Sequence, residues 1–192
     1  MDRTLNRLVS LLLPQIDWIL RVICRIKPLR ADGSGIISIE LRRYNGRDIT
    51  LDDGSEIKTG DRIIELHLSS DWFKQRRKEN LEARQLPWKV LHGFTQDLNF
   101  LAKQIADGIF DKVIAVHAVT FLYALGRRAG FQVEELPDSL WKKCAQFYMA
   151  GLTRVYHLPA AGHSGTWGRS GKLKEIWLSR EALLKAYLLR HQ

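Results

Sequence analysis

Thr59-Gly-Asp-Arg-Ile-Ile-Glu-Leu-His-Leu-Ser-Ser-Asp-Trp72 is the stretch on which the fold turns. Ile64, Leu66 and Leu68 alternate with Ile63, Glu65 and His67, the period-two pattern of a strand with two different faces. Ser69 or Ser70 can cap a following helix, and Asp71 then sits favourably in its first turn. Glu65 and His67 share one face of the strand. A carboxylate beside an imidazole can raise the histidine's pKa, help it hold a ligand or tie two elements together. The pair is therefore the candidate catalytic centre, with His67 as general base and Glu65 or Asp71 orienting it.

Upstream, the loop from Arg30 to Gly35 leads into Ile37, Ile39 and Leu41, which alternate with Ser38, Glu40 and Arg42 as in a half-buried strand. Asn45-Gly46 is a hairpin signal, and Ile49 with Leu51 reads as a short partner strand ending at Asp53-Gly54. These strands and the Ile63 to Leu68 strand are expected to form a three-stranded meander.

Downstream, Leu81, Trp88, Leu91, Phe94, Leu98, Leu101 and Ile105 supply the buried stripe of a helical region that breaks or bends near Pro87. Val113 to Val119 is an apolar, β-branched run expected to be a buried strand. Phe121 to Ala129 reads as a helix ended by Gly130, and Phe131 to Leu136 as a further strand. A strand, helix and strand in this order would make a parallel or mixed pair. Another helix begins at Pro137-Asp138. A glycine-rich loop spans residues 159–171, and a strand from Leu173 to Leu178 precedes a closing helix capped by Ser179. The expected class is α+β, with a mixed or mainly antiparallel sheet built from an N-terminal meander plus a later strand-helix-strand unit, packed with several helices.

Residues 5–27 place Leu5, Leu8, Leu12, Ile16, Ile19, Ile23 and Ile26 at spacings of three and four, opposite a polar side that includes Asp17, Arg21 and Arg25. This is an amphipathic helix, kinked or restarted near Pro14. Its charges interrupt the apolar run well short of the roughly 20 residues a bilayer span needs. Two destinations remain: the domain's own sheet, or a membrane surface with Trp18 and the arginines at head-group level. The chain divides into a helical segment at residues 1–30 and one α+β domain at residues 31–192.

The net charge of +9 is uneven. Residues 1–30 carry six basic and two acidic side chains, residues 31–72 five and nine, and residues 73–192 nineteen and ten. Basic ends around an acidic middle suit an anionic glycan or a lipid head group. Nucleic acid is not expected, because zinc-finger, RNA-binding strand and helix-turn-helix patterns are missing; the basic helix from Lys74 to Arg84 leaves a regulatory or nucleic-acid-binding protein as an alternative. Cys24 and Cys144 lack metal or redox spacing and read as free thiols. No metal and no cofactor are expected. The ligand-binding residues expected beside the Glu65–His67 pair are His117 on the next strand, Arg127 and Arg128 after it, and His163 and Arg169 in the glycine-rich loop, where Ser164 and Thr166 add hydroxyls. Gly171-Lys172-Leu173 departs from the phosphate-binding P-loop, whose lysine is followed by a hydroxyl residue.

Three segments together resemble the YkoP-like family of bacterial domains: Gly60-Asp-Arg-Ile-Ile-Glu-Leu-His-Leu68, Gly126-Arg-Arg-Ala-Gly-Phe-Gln-Val-Glu-Glu-Leu-Pro137 and Glu175-Ile-Trp-Leu-Ser-Arg-Glu-Ala-Leu-Leu184. Ala129 stands where the family pattern would place leucine. The resemblance implies an α+β domain connected with the cell envelope, in a family found alone or fused behind polysaccharide deacetylase-like proteins, and it carries no catalytic residues to transfer. The leading expectation is an accessory or ligand-binding domain in envelope polysaccharide or lipid-linked glycan metabolism, with a transferase or hydrolase using the Glu/His pair as the alternative. The expected location is cytoplasmic, with a peripheral place at the inner face of the membrane left open.

Overall fold

The computed structural model describes residues 15, 18–19, 21–69, 71–72, 75, 86–137, 145–146 and 172–188. The elements, in chain order, are β1 (Lys27–Pro28), β2 (Ile37–Arg43), β3 (Ile49–Thr50), β4 (Glu56–Ile57), β5 (Arg62–Leu68), α1 (Leu86–Ala106), β6 (Val113–Thr120), α2 (Tyr123–Arg128), β7 (Gln132–Glu135), β8 (Lys174–Ser179) and α3 (Arg180–Tyr187). They form the expected α+β fold around a mixed, mostly antiparallel sheet of order β1-β2-β5-β6-β8-β7.

The meander takes a different form from the one expected. β2 pairs directly and antiparallel with β5 from Ile37↔Leu68 to Arg43↔Arg62. β3 and β4 instead form a separate hairpin inserted between them, with Ile49 opposite Ile57. The turn of this hairpin lies at Leu51–Gly54, where Gly54 has φ +83, rather than at Asn45-Gly46. The Asp-Gly pair suits this positive φ, which a Cβ would strain.

Among the described strands only the β5–β6 pair is parallel, and α1 lies in its crossover. The β6-α2-β7 unit is split: β8 lies between its two strands, antiparallel to both. β6 and β7 thus run parallel without touching. The turn after α2 is made by Gly130 at φ +91, as expected of a residue that ends a helix in the left-handed region. Ser179 caps α3, its hydroxyl accepting from the Ala182 N–H at 2.9 Å.

The main core lies on one face of the sheet, where Ile64, Leu66, Val116, Ile176 and Leu178 meet Leu98, Leu101 and Ile105 of α1 and Leu183 of α3. Trp88 is not part of this stripe; it is 72% exposed, and Val90 is buried instead. At 100° per residue Trp88 and Val90 lie about 80° from Leu98 on opposite sides, and Leu101 and Ile105 continue the stripe on the Val90 side. Pro87 falls in the first turn of α1, where a missing N–H leaves no helical bond unmade.

The other face carries a smaller cluster of Leu51, Ile57, Ile63, Ala115 and Trp177, covered by the β3–β4 hairpin. Asp53 accepts from the Ser179 hydroxyl, and the Asp52 N–H donates to Gln132 Oε1 at 2.6 Å, so the hairpin is tied to β8 and β7.

Residues 15, 18–19 and 21–23 are helical, and β1 then adds an edge strand inside the segment read as purely helical. Trp18, Ile19, Val22 and Ile23 are exposed, by 46% to 70%. Of its described polar residues, Arg21 pairs with Asp71 at 3.3 Å while Arg25 is exposed; the fields of Glu40 and Glu65 act on Cys24, a free, half-buried thiol. Among the described residues no helix is long and apolar enough to cross a membrane.

Candidate functional site

Register brings Glu40, Glu65, His117 and Trp177 into one row across β2, β5, β6 and β8: Glu40 opposes Glu65, Glu65 opposes His117, and His117 opposes Trp177. Side chains alternate along each strand, so this row and its second neighbours Arg42 and His67 share the face opposite the main core.

Two carboxylates directly opposite one another repel, and diagonal cations offset that repulsion. Arg42 Nη1 donates to Glu65 Oε2 at 2.6 Å, with Nη2 on Asn45 Oδ1 at 3.2 Å. His67 Nε2 lies 3.4 Å from Glu40 Oε2. His117 Nδ1 stands 3.8 Å from Glu65 Oε2, too far for a hydrogen bond but close enough for strong attraction if the ring is protonated. Glu65 and His117 are both buried.

Burial alone would push the Glu65 carboxyl up. The contact and field of His117, followed by His67 and Arg42, outweigh it and bring the group down to about 2. Cys24 shows the reverse: burial first, then Glu40 and Glu65, push its thiol up.

His117 is packed face to face with Trp177, ring centroids 4.0 Å apart at 32°. Tyr44 closes the other side of Trp177 edge-on at 5.3 Å. Neither ring nitrogen of His117, nor Trp177 Nε1, nor His67 Nε2 makes a hydrogen bond. Such unpaired buried groups cost about 1–3 kcal/mol each. Of the two histidines, His67 is the more open, its side chain 29% exposed against 8% for His117.

Three of the residues expected from the sequence are thus brought together: Glu65, His67 and His117. Arg127 and Arg128 are not. They are exposed at the end of α2, which packs on the main-core side, where a Cβ on Gly126 would meet Ile176. Asp71 is engaged by Arg21. His163 and Arg169, with Ser164 and Thr166, lie outside the described residues. Sequence reading missed Glu40, Arg42 and Trp177. The first two had been assigned to the polar side of a half-buried strand, and only the β2–β5 register shows that this side is the row itself.

Glu65, at about 2 and paired with Arg42, is a fixed negative charge. Among the described residues no group of three His, Cys, Asp or Glu side chains is arranged to hold a metal ion.

The architecture defines a class: an α+β domain with α1, α2 and α3 on one face of a mixed sheet and an ion network on the other. The family model of the YkoP domain matches residues 6–187, and the chain belongs to that family. No curated protein and no solved structure matches it.

Proposed function

We propose that this protein is an accessory, ligand-binding domain that works at a membrane surface, in the metabolism of envelope polysaccharide or lipid-linked glycan. The observation that carries the membrane part of the reading is the exposed apolar row at the end of the N-terminal helix. Trp18, Ile19, Val22 and Ile23 point to solvent while Arg21 turns toward Asp71. Exposed Arg25 and Lys27 follow directly. An apolar helical face edged with cations and carrying a tryptophan matches an anionic bilayer interface, where the apolar side chains are buried and the basic ones meet head groups. The chain's charge of +9 supports the same partner.

The transferase or hydrolase reading loses weight at the ion network. Glu65 and Asp71, the groups expected to orient His67, are paired with Arg42 and Arg21 instead, and His67 Nε2 makes no hydrogen bond. The network serves better as a rigid floor beneath the attachment helix.

Flotation of the full chain with liposomes tests the membrane part. Vesicles rich in anionic phospholipid are expected to carry the protein upward, and purely zwitterionic vesicles are not. Trp18→Glu with Ile23→Glu should abolish flotation while leaving the circular dichroism spectrum and the thermal midpoint unchanged. If the intact chain stays at the bottom of the gradient, or the double variant floats as well as the parent, membrane attachment through this helix is wrong.

A further inference from the structure

An open groove of about 790 Å³ runs between α1 and the loop of residues 30–36, with Trp72 among its lining residues. One wall is a single face of α1. Trp88, His92, Gln96, Asn99 and Lys103 fall within about 80° of one another round the helix axis, and Lys89 lies just beyond them. On the opposite wall Arg30 is fixed, its Nε donating to Asp97 Oδ1 at 2.6 Å and its guanidinium 4.8 Å from the centre of the Phe100 ring. Asp97 offsets that charge.

Lys89 and Lys103 therefore set the electrostatics of the wall. They stand 14 positions apart on α1, or about 21 Å along the axis. A single phosphate or head group cannot reach both. Between them His92 and Gln96 are exposed and Asn99 is half-buried, an imidazole and two amides. Trp88 offers an exposed ring at one end. The ligand that fits is extended, rich in hydroxyls and sparsely charged.

We propose that this groove binds an acidic oligosaccharide. A sugar ring stacks on Trp88, hydroxyls meet the His92 imidazole and the Gln96 amide, and acidic groups reach Lys89 and Lys103. A nucleic-acid strand fits less well. It would bring a phosphate with every nucleotide against two lysines, and single-strand binding uses repeated stacking platforms where this wall has one exposed aromatic ring. The proposal deepens the ligand-binding part of the proposed function and rests on that part alone, not on membrane attachment.

The test is calorimetric titration of the full chain, with tryptophan fluorescence in parallel and no vesicles present. The probe is an oligogalacturonate long enough to span both lysines; a neutral malto-oligosaccharide of equal length and a short single-stranded oligonucleotide are run beside it. The uronate should bind saturably and shift the emission, and the neutral sugar should bind at least about tenfold more weakly, the scale of 1.4 kcal/mol. Lys89→Ala with Lys103→Ala should remove most of that preference, and Trp88→Ala should weaken both sugars and silence the emission change. These are surface positions, and an unchanged thermal midpoint shows that the variants fold. The Trp18→Glu, Ile23→Glu chain should keep full uronate affinity, so failure of membrane attachment and failure of the groove are read separately. Absent uronate binding, equal affinity for the neutral sugar, tighter binding of the oligonucleotide, or indifference to the lysine substitutions each overturn the proposal.

Discussion

Arg42 reaches diagonally across from β2 to put its Nη1 2.6 Å from Glu65 Oε2, on a face where Glu40 stands directly opposite the same carboxylate. The guanidinium thus lets two acidic residues face each other in a sheet. It also ties β2 to β5, which the β3–β4 insertion separates in sequence, and its charge acts on Cys24 at the end of the N-terminal helix.

Removing that cation should cost more than removing the anion. Arg42→Met leaves a buried carboxylate opposite a second one. Breaking a fully buried pair costs 3–5 kcal/mol, and because the Arg42 side chain is 34% exposed, about 2 kcal/mol is expected here. Glu65→Leu frees Arg42 to turn toward water and should cost about 1 kcal/mol. The double variant should resemble Glu65→Leu alone, giving a coupling that urea denaturation of the four proteins measures. Strictly additive losses would mean the pair does not act as a pair.

Glu65 also sets a pH dependence. Its carboxyl titrates at about 2 in the folded chain against 4.5 ordinarily, so as the pH falls the unfolded chain takes up the proton first. The stabilisation is complete above about 4.5 and disappears as the pH falls toward 2, a total of about 3 kcal/mol. Other carboxylates titrate in the same window, so the measurement is the difference between parent and Glu65→Gln in chemical denaturation along that range. The gap between the two curves should narrow as the pH falls. A constant gap would contradict the assignment.

What was legible in the sequence was local. The alternation around Glu65, the β-branched run at Val113 to Val119, the end of α2 at Gly130 and the cap at Ser179 depend on residues a few positions apart, and each is found as read. Strand adjacency was not legible. β8 enters between β6 and β7 from about 40 residues away, and nothing in the alternation of Ser38, Glu40 and Arg42 reveals that Glu65 will lie opposite. The N-terminal helix shows a further limit: periodicity finds two faces, but it does not reveal that Ile19 and Ile23 of the apolar one are exposed while Arg21 of the polar one pairs with Asp71. Trp88 was misassigned because spacings of three drift round a helix whose true period is 3.6.

Asp97 joins three elements from the middle of α1. Its Oδ1 accepts from Arg30 and its Oδ2 from the buried Ile37 N–H at 2.9 Å. Asp97→Ala should strand that donor and cost about 3 kcal/mol. Asp97→Asn keeps one acceptor and should cost roughly half as much. A Cβ on Gly35 would lie 2.8 Å from Oδ2, so Gly35→Ala should reproduce part of the Asp97→Ala loss and add little to it in the double variant. If Gly35→Ala is neutral in thermal denaturation, the carboxylate is not held as tightly as these contacts imply.

Ser179 serves two elements with one hydroxyl, accepting from the Ala182 N–H and donating to Asp53 in the hairpin turn. Ser179→Ala loses both the cap and the tie, and should cost about 2 kcal/mol. Ser179→Asp separates them: aspartate caps a helix as well as serine, but it would set a second carboxylate against Asp53. Hydrogen exchange distinguishes the outcomes. In Ser179→Ala the amides of both α3 and the β3–β4 hairpin should exchange faster, whereas in Ser179→Asp only the hairpin should loosen. Protection of the hairpin unchanged in both variants would mean that Asp53 does not hold it to the sheet.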